Sequence, residues 1–420
     1  MSLKEAFSKI RVWGVPGILD FASKRWRWWC LSRRFRRMSR RESSGASEPV
    51  RGLTLIGDFC HGASNSKTMR DFAHALKDAG IPFQTFSTDR KRTIPERDFA
   101  DILTPEPEFR LNRYTHVVEM FRSPLPRDLV RRRARIAFWE GEHGMLEVWP
   151  FLAGKDPVIA MSDFNADYFR RDLKPAPVHK ILYPLRPIDL EIPDRTAVRK
   201  RFGIGDDAFV VLFTFDFGSF ARKNPCGAMR AFARAFQGDG AARLVFKTMG
   251  AKSHPGEVAL LRNLSLELGI ASRFVLITEY LPHEVLYGLT ASCDVYMSLH
   301  RGEGFGIGMA EAMLFGKPVV ATDWSANTEF CRPGASFPVS YRLVRVEANE
   351  YFACMKEWAD PDIEAAARAL STCRMNPALA REVGERGQRL VNEHFSTERF
   401  KRSVDAFLDA ADDGGGTCES

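Results

Sequence analysis

The sequence predicts an α/β protein made of two doubly wound domains in tandem. Three observations carry this prediction. From residue 52 onward short apolar runs alternate with amphipathic helical stretches, the series occurs twice, and a proline-rich segment separates the two copies. A chain of 420 residues also exceeds one ordinary hydrophobic core, which agrees with two domains.

The first series opens with the buried-type strand Leu53 to Gly57, followed by a polar loop, "DFCHGASNS", and a helix whose Met69, Phe72, Ala73 and Leu76 share one face. Further strands are expected at Phe83 to Phe86, His116 to Met120, Arg135 to Trp139 and Val158 to Met161. The stretch Leu173 to Asp194 then holds five prolines in 22 residues and supports no long helix, so the domain boundary is expected near residues 184 to 198. The second series has strands at Phe209 to Phe215, Leu244 to Lys247, Phe274 to Ile277, Val295 to Leu299 and Pro318 to Ala321. Helices are expected at Cys226 to Phe236 and His283 to Ser292. This divides the chain into an arm and linker (1–49), a first domain (50–190) and a second domain (191–395), with the last helix (396–411) returning to the first domain. Two such domains bind ligands in the cleft outside the carboxyl ends of their strands. The terminal "DDGGGTCES" reads as a disordered tail.

The net charge of +8 is concentrated in residues 1–41, where twelve Lys and Arg face only Glu5 and Asp20. The body of the protein is therefore close to neutral. No run of eighteen apolar residues occurs, and the basic cluster follows rather than precedes the short apolar stretch, which excludes a signal peptide of the usual order. In "KRWRWWCLSRRFRRMSRR" (Lys24 to Arg41), Trp26, Trp28, Trp29 and Phe35 among arginines suit the headgroup zone of an anionic membrane surface, with a solvated tail or a nucleic-acid arm as alternatives. The reading adopted is the membrane surface, without nucleic acid. The eight cysteines form no CxxC pair and no metal-type cluster, which fits a reducing, cytoplasmic compartment.

The segment "RGEGFGIGMAEAMLFG" (Arg301 to Gly316) is the chemically informative one. Its glycines at 304, 306 and 308 have neither the spacing nor the first-strand position of a dinucleotide fingerprint. A phosphate-binding P-loop needs Gly-Lys-Ser/Thr, and "HGASNSKT" (His61 to Thr68) fails that pattern at His61 and Ser66. A sugar nucleotide fits better. Backbone at the glycines and a helix start near Ile307 offer N–H groups to a diphosphate, while Glu303 and Glu311 suit neutral polyols on either side of it. Arg222 and Lys223, after the first strand of the second domain and before Pro225, supply the cations a departing diphosphate needs.

On these residues the second half resembles family 4 retaining glycosyltransferases, which have the GT-B fold, in the subgroup that builds bacterial cell-surface polysaccharide and lipopolysaccharide. The carriers are Tyr280 to Phe330 with Glu303 and Glu311, "FDFGSFARKNPCGAMRAF" from Phe215, and "WADPD" (Trp358 to Asp362). The resemblance is dense over residues 205–365 and thin before residue 200. It implies that Glu303 holds sugar hydroxyls and Glu311 the ribose diol. The backbone of Gly304, Phe305, Gly306 and Ile307 would meet the diphosphate opposite Arg222 and Lys223. Thr278, within Leu276 to Tyr280, would lie near the nucleobase, and Lys247 is either cleft-facing or a solvated strand-end lysine.

On the acceptor side the expected residues are Gly62, Glu140 and His143, the last two in "AFWEGEHGMLEVWP" (Ala137 to Pro150). The implied reaction moves a sugar, with GDP-mannose as the expected donor, from a nucleoside diphosphate to a glycan or lipid-linked hydroxyl with retention. No cofactor and no metal are expected, since no DxD motif marks a metal site. A sugar-nucleotide epimerase or phosphorylase of the same architecture, and a non-catalytic sugar-nucleotide-binding scaffold, are the alternatives. The implied place is the cytoplasm, at the inner face of the membrane.

Overall fold

The computed structural model describes residues 26, 28–40, 48–62, 64–88, 93–120, 125–130, 132–139, 152, 154–174, 176–188, 190–346 and 356–413. The expected acceptor residues Glu140 and His143, the first 25 residues and the tail from 414 onward lie outside the described residues. The chain divides into two compact units. The first comprises Met1–Ala137, Asp156–Ile159 and Lys401–Ser420, and the second Phe138–Lys155 and Ala160–Phe400.

The first sheet has six strands, β1 (Val50–Gly57), β2 (Phe83–Ser87), β3 (Tyr114–Met120), β4 (Arg133–Ile136), β5 (Val158–Ala160) and β6 (Val178–Lys180), in the order β2-β1-β3-β4-β5-β6. The pairs of β1 with β2 and β3, β3 with β4, and β4 with β5 are all parallel. β4 starts two residues earlier than the apolar pattern indicates because Arg133 and Arg135 alternate with Ala134 and Ile136, and charge hid a buried strand. Their partner is Glu119 of β3, fully buried, with Arg133 Nε 3.1 Å from its Oε2. β6 lies inside the proline-rich stretch, where an edge strand tolerates Pro177 before it.

Helix α1 (residues 28–40) belongs to the first unit and corrects part of the reading of the arm. Phe35, expected among the membrane-facing aromatics, is fully buried with Ile56, Phe86, Phe109, Leu111, Val117 and Leu125. Its ring lies 4.8 Å from that of Phe86. Arg34 Nε donates to Glu106 at 2.8 Å and Arg36 Nη1 to Asp128 at 2.7 Å, fixing the helix on either side of Phe35. Leu31, Phe35 and Met38 follow helical spacing, a signal that the surrounding arginines obscured. Trp26 and Trp29 stay exposed. Helix α2 (Ser64–Asp78) follows β1 and buries Met69, Phe72, Ala73 and Leu76, the face expected.

The second unit contains α3 (Asp163–Asp172), α4 (Arg195–Arg201) and a second six-stranded sheet. Its strands are β7 (Phe209–Asp216), β8 (Ala242–Met249), β9 (Phe274–Ile277), β10 (Val295–Ser298), β11 (Val319–Thr322) and β12 (Phe337–Val339), in the order β12-β11-β10-β7-β8-β9. All five pairings are parallel. The helices are the single turn α5 (Phe220–Lys223), α6 (Pro225–Ala235), α7 (Pro255–Glu267), α8 (His283–Ser292), α9 (Ile307–Leu314), α10 (Ile363–Met375) and α11 (Pro377–His394). The core joins Val211, Phe213 and Phe215 of β7 to Phe246, Met297 and Phe232, with Leu370 of α10. An antiparallel pair, β13 (Tyr341–Arg345) and β14 (Glu357–Pro361), follows β12.

Residues 160–180 join the second unit through Glu329. That buried carboxylate accepts from Lys180 Nζ at 2.7 Å, His394 Nε2 at 2.8 Å and the Asp163 backbone N–H at 3.0 Å. Helix α12 (Thr397–Asp413) supplies Asp405 and Asp409 to Arg51 of β1 at 2.9 and 2.5 Å within the first unit. Among the described residues no helix is long and apolar enough to cross a membrane.

Candidate functional site

The two loops singled out in the sequence meet because their strands are neighbours. β7 and β10 lie side by side although about 80 residues separate them, and the strand order reverses between them. The loops leaving their carboxyl ends therefore open at the switch point of the sheet, where open α/β folds place ligands.

The first loop is built by capping. Asp216 accepts the Gly218 N–H at 2.7 Å and tightens the chain into α5, which carries Arg222 and Lys223. Asn224 ends α5 in the left-handed region at φ +53° and caps α6, accepting the Gly227 N–H at 3.1 Å with Pro225 behind it. Its Nδ2 also donates to Leu299 O at 3.0 Å, and Arg301 N donates to Arg222 O at 2.7 Å. These two bonds tie the loops together.

The second loop brings Glu303 onto both cations. Lys223 Nζ donates to one carboxylate oxygen, and Arg222 Nη1 to the other at 3.3 Å. Arg222 further holds Gly302 O at 2.8 Å and Ser219 Oγ at 3.2 Å. Burial raises the Glu303 pKa, but Lys223 and Arg222 outweigh it and the net result is about 2. Buried Arg222 and half-buried Lys223 thus face one carboxylate that is ionised at neutral pH. Arg222, Lys223 and Glu303, far apart in sequence, form one cluster.

A strained turn after β11 supports this loop. Ser325 sits at φ +74° and its Oγ accepts the Glu303 N–H at 2.7 Å. Fully buried His300 receives Ser298 on one nitrogen at 3.0 Å, and its other nitrogen meets Asn327 Oδ1 at 2.9 Å and Trp324 O at 3.2 Å. Burial lowers its pKa, so the ring is a neutral strut. Ser325, His300 and Asn327 were not legible as site residues: each acts across 22 or more residues, and nothing local marks them. The "WADPD" segment has an equally long-range role. Ala359 N of β14 donates to Arg301 O at 3.0 Å, and the Arg301 guanidinium lies 4.9 Å over the Trp358 ring.

The glycines have distinct duties. Gly306 occupies the N-cap of α9 at φ +98°. Gly308 lets the first turn of α9 approach β7 and β10, since a Cβ there would collide with the Tyr296 hydroxyl and sit 2.9 Å from Thr214 Oγ1. Those two hydroxyls bond each other at 2.6 Å. Phe305 is buried and stacks on Tyr183 with ring centroids 4.0 Å apart. Gly304 O accepts from Asn165 Nδ2 at 3.3 Å. Ile307 is half-buried at the start of α9.

Glu311 lies one turn further along α9, half-buried, and accepts from Tyr287 OH at 3.1 Å. Lys247 is not a solvated strand-end lysine. It is buried, donates to Thr248 O at 2.9 Å, and burial lowers its pKa against the pull of Glu279 and Asp216. Exposed Thr278 follows Ile277, the residue in register with Lys247, so both lie at the carboxyl ends of adjacent strands. Gly62 lies in the first unit after β1, its N–H donating to Thr93 Oγ1 at 3.2 Å. Among the described residues no group of three His, Cys, Asp or Glu is placed to hold a metal.

Two six-stranded parallel sheets, each flanked by helices, constitute the GT-B fold, which solved structures share with this chain. Residues 208–357, which hold both loops of the site, match the family described as glycosyl transferases group 1. The lipopolysaccharide core biosynthesis mannosyltransferase LpsB of Rhizobium meliloti is 28% identical over 258 residues, 58% of this chain and 69% of that protein. D-inositol 3-phosphate glycosyltransferase 1 of Catenulispora acidiphila is 32% identical over 195 residues, 44% of this chain and 45% of its own length. The chain thus spans less than half of that relative. Anabaena HepE in complex with UDP and glucose has a TM-score of 0.59 at 15% identity, covering 86% of this chain and all of that one.

Proposed function

We propose that this protein is a retaining glycosyltransferase of family 4 that moves a sugar from a nucleoside-diphosphate sugar to a hydroxyl of a glycan or lipid-linked acceptor in cell-envelope polysaccharide synthesis. The observation that carries the proposal is the convergence of Arg222, Lys223 and Glu303 outside the switch point of the second sheet. Two cations against one carboxylate leave positive charge where a diphosphate develops negative charge as the sugar departs. Lys223, the less buried of the two, exchanges from Glu303 to the diphosphate and frees the carboxylate for sugar hydroxyls. Glu311 takes the ribose diol, and the backbone of Gly304 to Ile307 meets the diphosphate. Lys247 and Thr278 line the nucleotide end.

In this reading the leaving diphosphate oxygen receives the acceptor proton on the same face of the sugar, so no protein nucleophile is required. Arg222 and Lys223 take the role a metal would otherwise have, and activity persists in chelator. The similarity to LpsB supports a mannosyl donor such as GDP-mannose, and the HepE complex shows a protein of this fold holding UDP and glucose. Exposed Trp26 and Trp29, with Arg33, Arg37 and Arg40 on the outward side of α1, hold the protein at an anionic membrane surface.

The deciding experiment is a donor panel, including GDP-mannose and UDP-glucose, read by released nucleoside diphosphate. Glu311→Ala is expected to abolish turnover while thermal unfolding stays unchanged. A variant that turns over like the parent contradicts the site assignment. Release of product with inverted anomeric configuration contradicts retention.

A further inference from the structure

The first unit carries a second ordered polar cluster, built from the loop after β1 and independent of the carboxylate and cations described above. Asp58 Oδ2 accepts from His61 Nδ1 at 2.6 Å and from Ser66 Oγ at 2.7 Å, while its Oδ1 accepts the Cys60 N–H at 2.9 Å. An ionised carboxylate can only accept, so Nδ1 carries a proton, and in the neutral ring Nε2 keeps its lone pair. The loop is held rigidly around this pair. Buried Arg70 donates to Phe59 O at 3.0 Å and His61 O at 2.7 Å, and Thr93 N donates to Cys60 O at 3.0 Å. The His61 side chain is 23% exposed, and among the described residues no protein group takes its Nε2.

A surface histidine without a function needs no such frame. Five residues, Asp58, Cys60, Ser66, Arg70 and Thr93, spend polar groups on holding this imidazole and its loop at the carboxyl end of a parallel strand, where open α/β sheets bind ligands. The exposed lone pair selects the ligand. It repels anions, and among the described residues no group of three His, Cys, Asp or Glu is placed to hold a metal there. It accepts from a neutral hydroxyl. We propose that His61 Nε2 accepts the hydrogen bond of an acceptor sugar hydroxyl, with Asp58 as the positioning residue that fixes its tautomer. This inference rests on the glycosyltransferase reading and assigns the polyol acceptor a contact on the first unit.

The test uses the full chain labelled with ¹⁵N-histidine, the His61 signals being assigned by their loss in His61→Ala. Methyl α-D-mannopyranoside and methyl α-D-glucopyranoside are titrated with and without UDP and GDP. The parent protein should show the Nδ1–H tautomer, with a saturable shift at Nε2 on adding a glycoside. Asp58→Asn turns an acceptor into a donor toward Nδ1, so His61 should switch to the Nε2–H tautomer and lose the response. Should Asp58→Asn fail to fold, His61→Ala serves instead, with glycoside binding weakened at least about tenfold by calorimetry and nucleotide binding unchanged. An unshifted Nε2 with both glycosides, or an equal response in Asp58→Asn, overturns the inference. Failure of UDP and GDP to bind counts separately, against the proposed function, because the glycoside response is read without nucleotide as well.

Discussion

Ser325, held in the left-handed region at φ +74°, accepts the backbone N–H of Glu303 on its hydroxyl at 2.7 Å. The strain of one residue thus sets the direction of another, whose carboxylate meets Arg222 and Lys223. Backbone strain of this kind costs about 1–3 kcal/mol and persists only where neighbouring bonds hold it.

Ser325→Ala should keep the strain and lose the acceptor, leaving the buried Glu303 N–H unpaired at a cost of about 1–3 kcal/mol. Ser325→Gly loses the same bond but relieves the φ penalty, so it should unfold at a higher temperature than Ser325→Ala. Turnover should fall in both. Identical melting temperatures for the two variants would argue against strain at this turn.

The Glu303 cluster has a signed pH dependence. Its folded pKa of about 2 lies below the ordinary 4.5, so its stabilisation is present above pH 4.5 and is lost as pH falls toward 2. The size is on the order of 3 kcal/mol. Glu303→Gln leaves buried Arg222 and half-buried Lys223 without their counter-charge and should destabilise by about 3–5 kcal/mol near neutral pH. The gap between parent and variant in urea unfolding should narrow from about pH 7 to about pH 3.5. A gap that stays constant would refute the assignment of the shift.

Gly308→Ala should disrupt the hydroxyl pair of Thr214 and Tyr296 at the start of α9, costing about 1–3 kcal/mol by overpacking. Removing the Tyr296 hydroxyl removes the shortest contact and frees Thr214 Oγ1, 2.9 Å from the new Cβ, to turn away. Gly308→Ala combined with Tyr296→Phe is therefore expected to be more stable than the sum of the two single changes. Simple additivity in chemical denaturation would count against the close approach.

Helix α1 separates packing from surface chemistry within one turn and a half. Phe35→Ala should cost about 3–5 kcal/mol, because its ring is fully buried among Ile56, Phe86 and Phe109. Trp29→Ala should leave the melting temperature unchanged and weaken sedimentation with anionic vesicles, most clearly at low salt. Vesicle binding that survives loss of Trp26 and Trp29 and neutralisation of Arg33, Arg37 and Arg40 would remove the membrane role of this face.

Period-two and period-3.6 hydrophobic patterns place β1, β2, β7 and β8 within a few residues, because strands buried on both faces leave continuous apolar runs. The glycine loop with Glu303 and Glu311, and the pair Arg222–Lys223 before Pro225, were likewise legible, because their chemistry depends on local spacing and helix starts. Strand β4 and helix α1 were misread in part, since Arg133, Arg135, Arg34 and Arg36 find acidic partners distant in sequence. By itself the sequence determined the strand–helix alternation, the identity of the charged groups and the backbone freedom at Gly304, Gly306 and Gly308. The tertiary structure decided which of those groups meet. Adjacency of β7 and β10 puts Lys223 on Glu303, and the turn after β11 puts Ser325 beneath it. Such contacts arise from strand order and buried polar pairing, and no window of neighbouring residues encodes either.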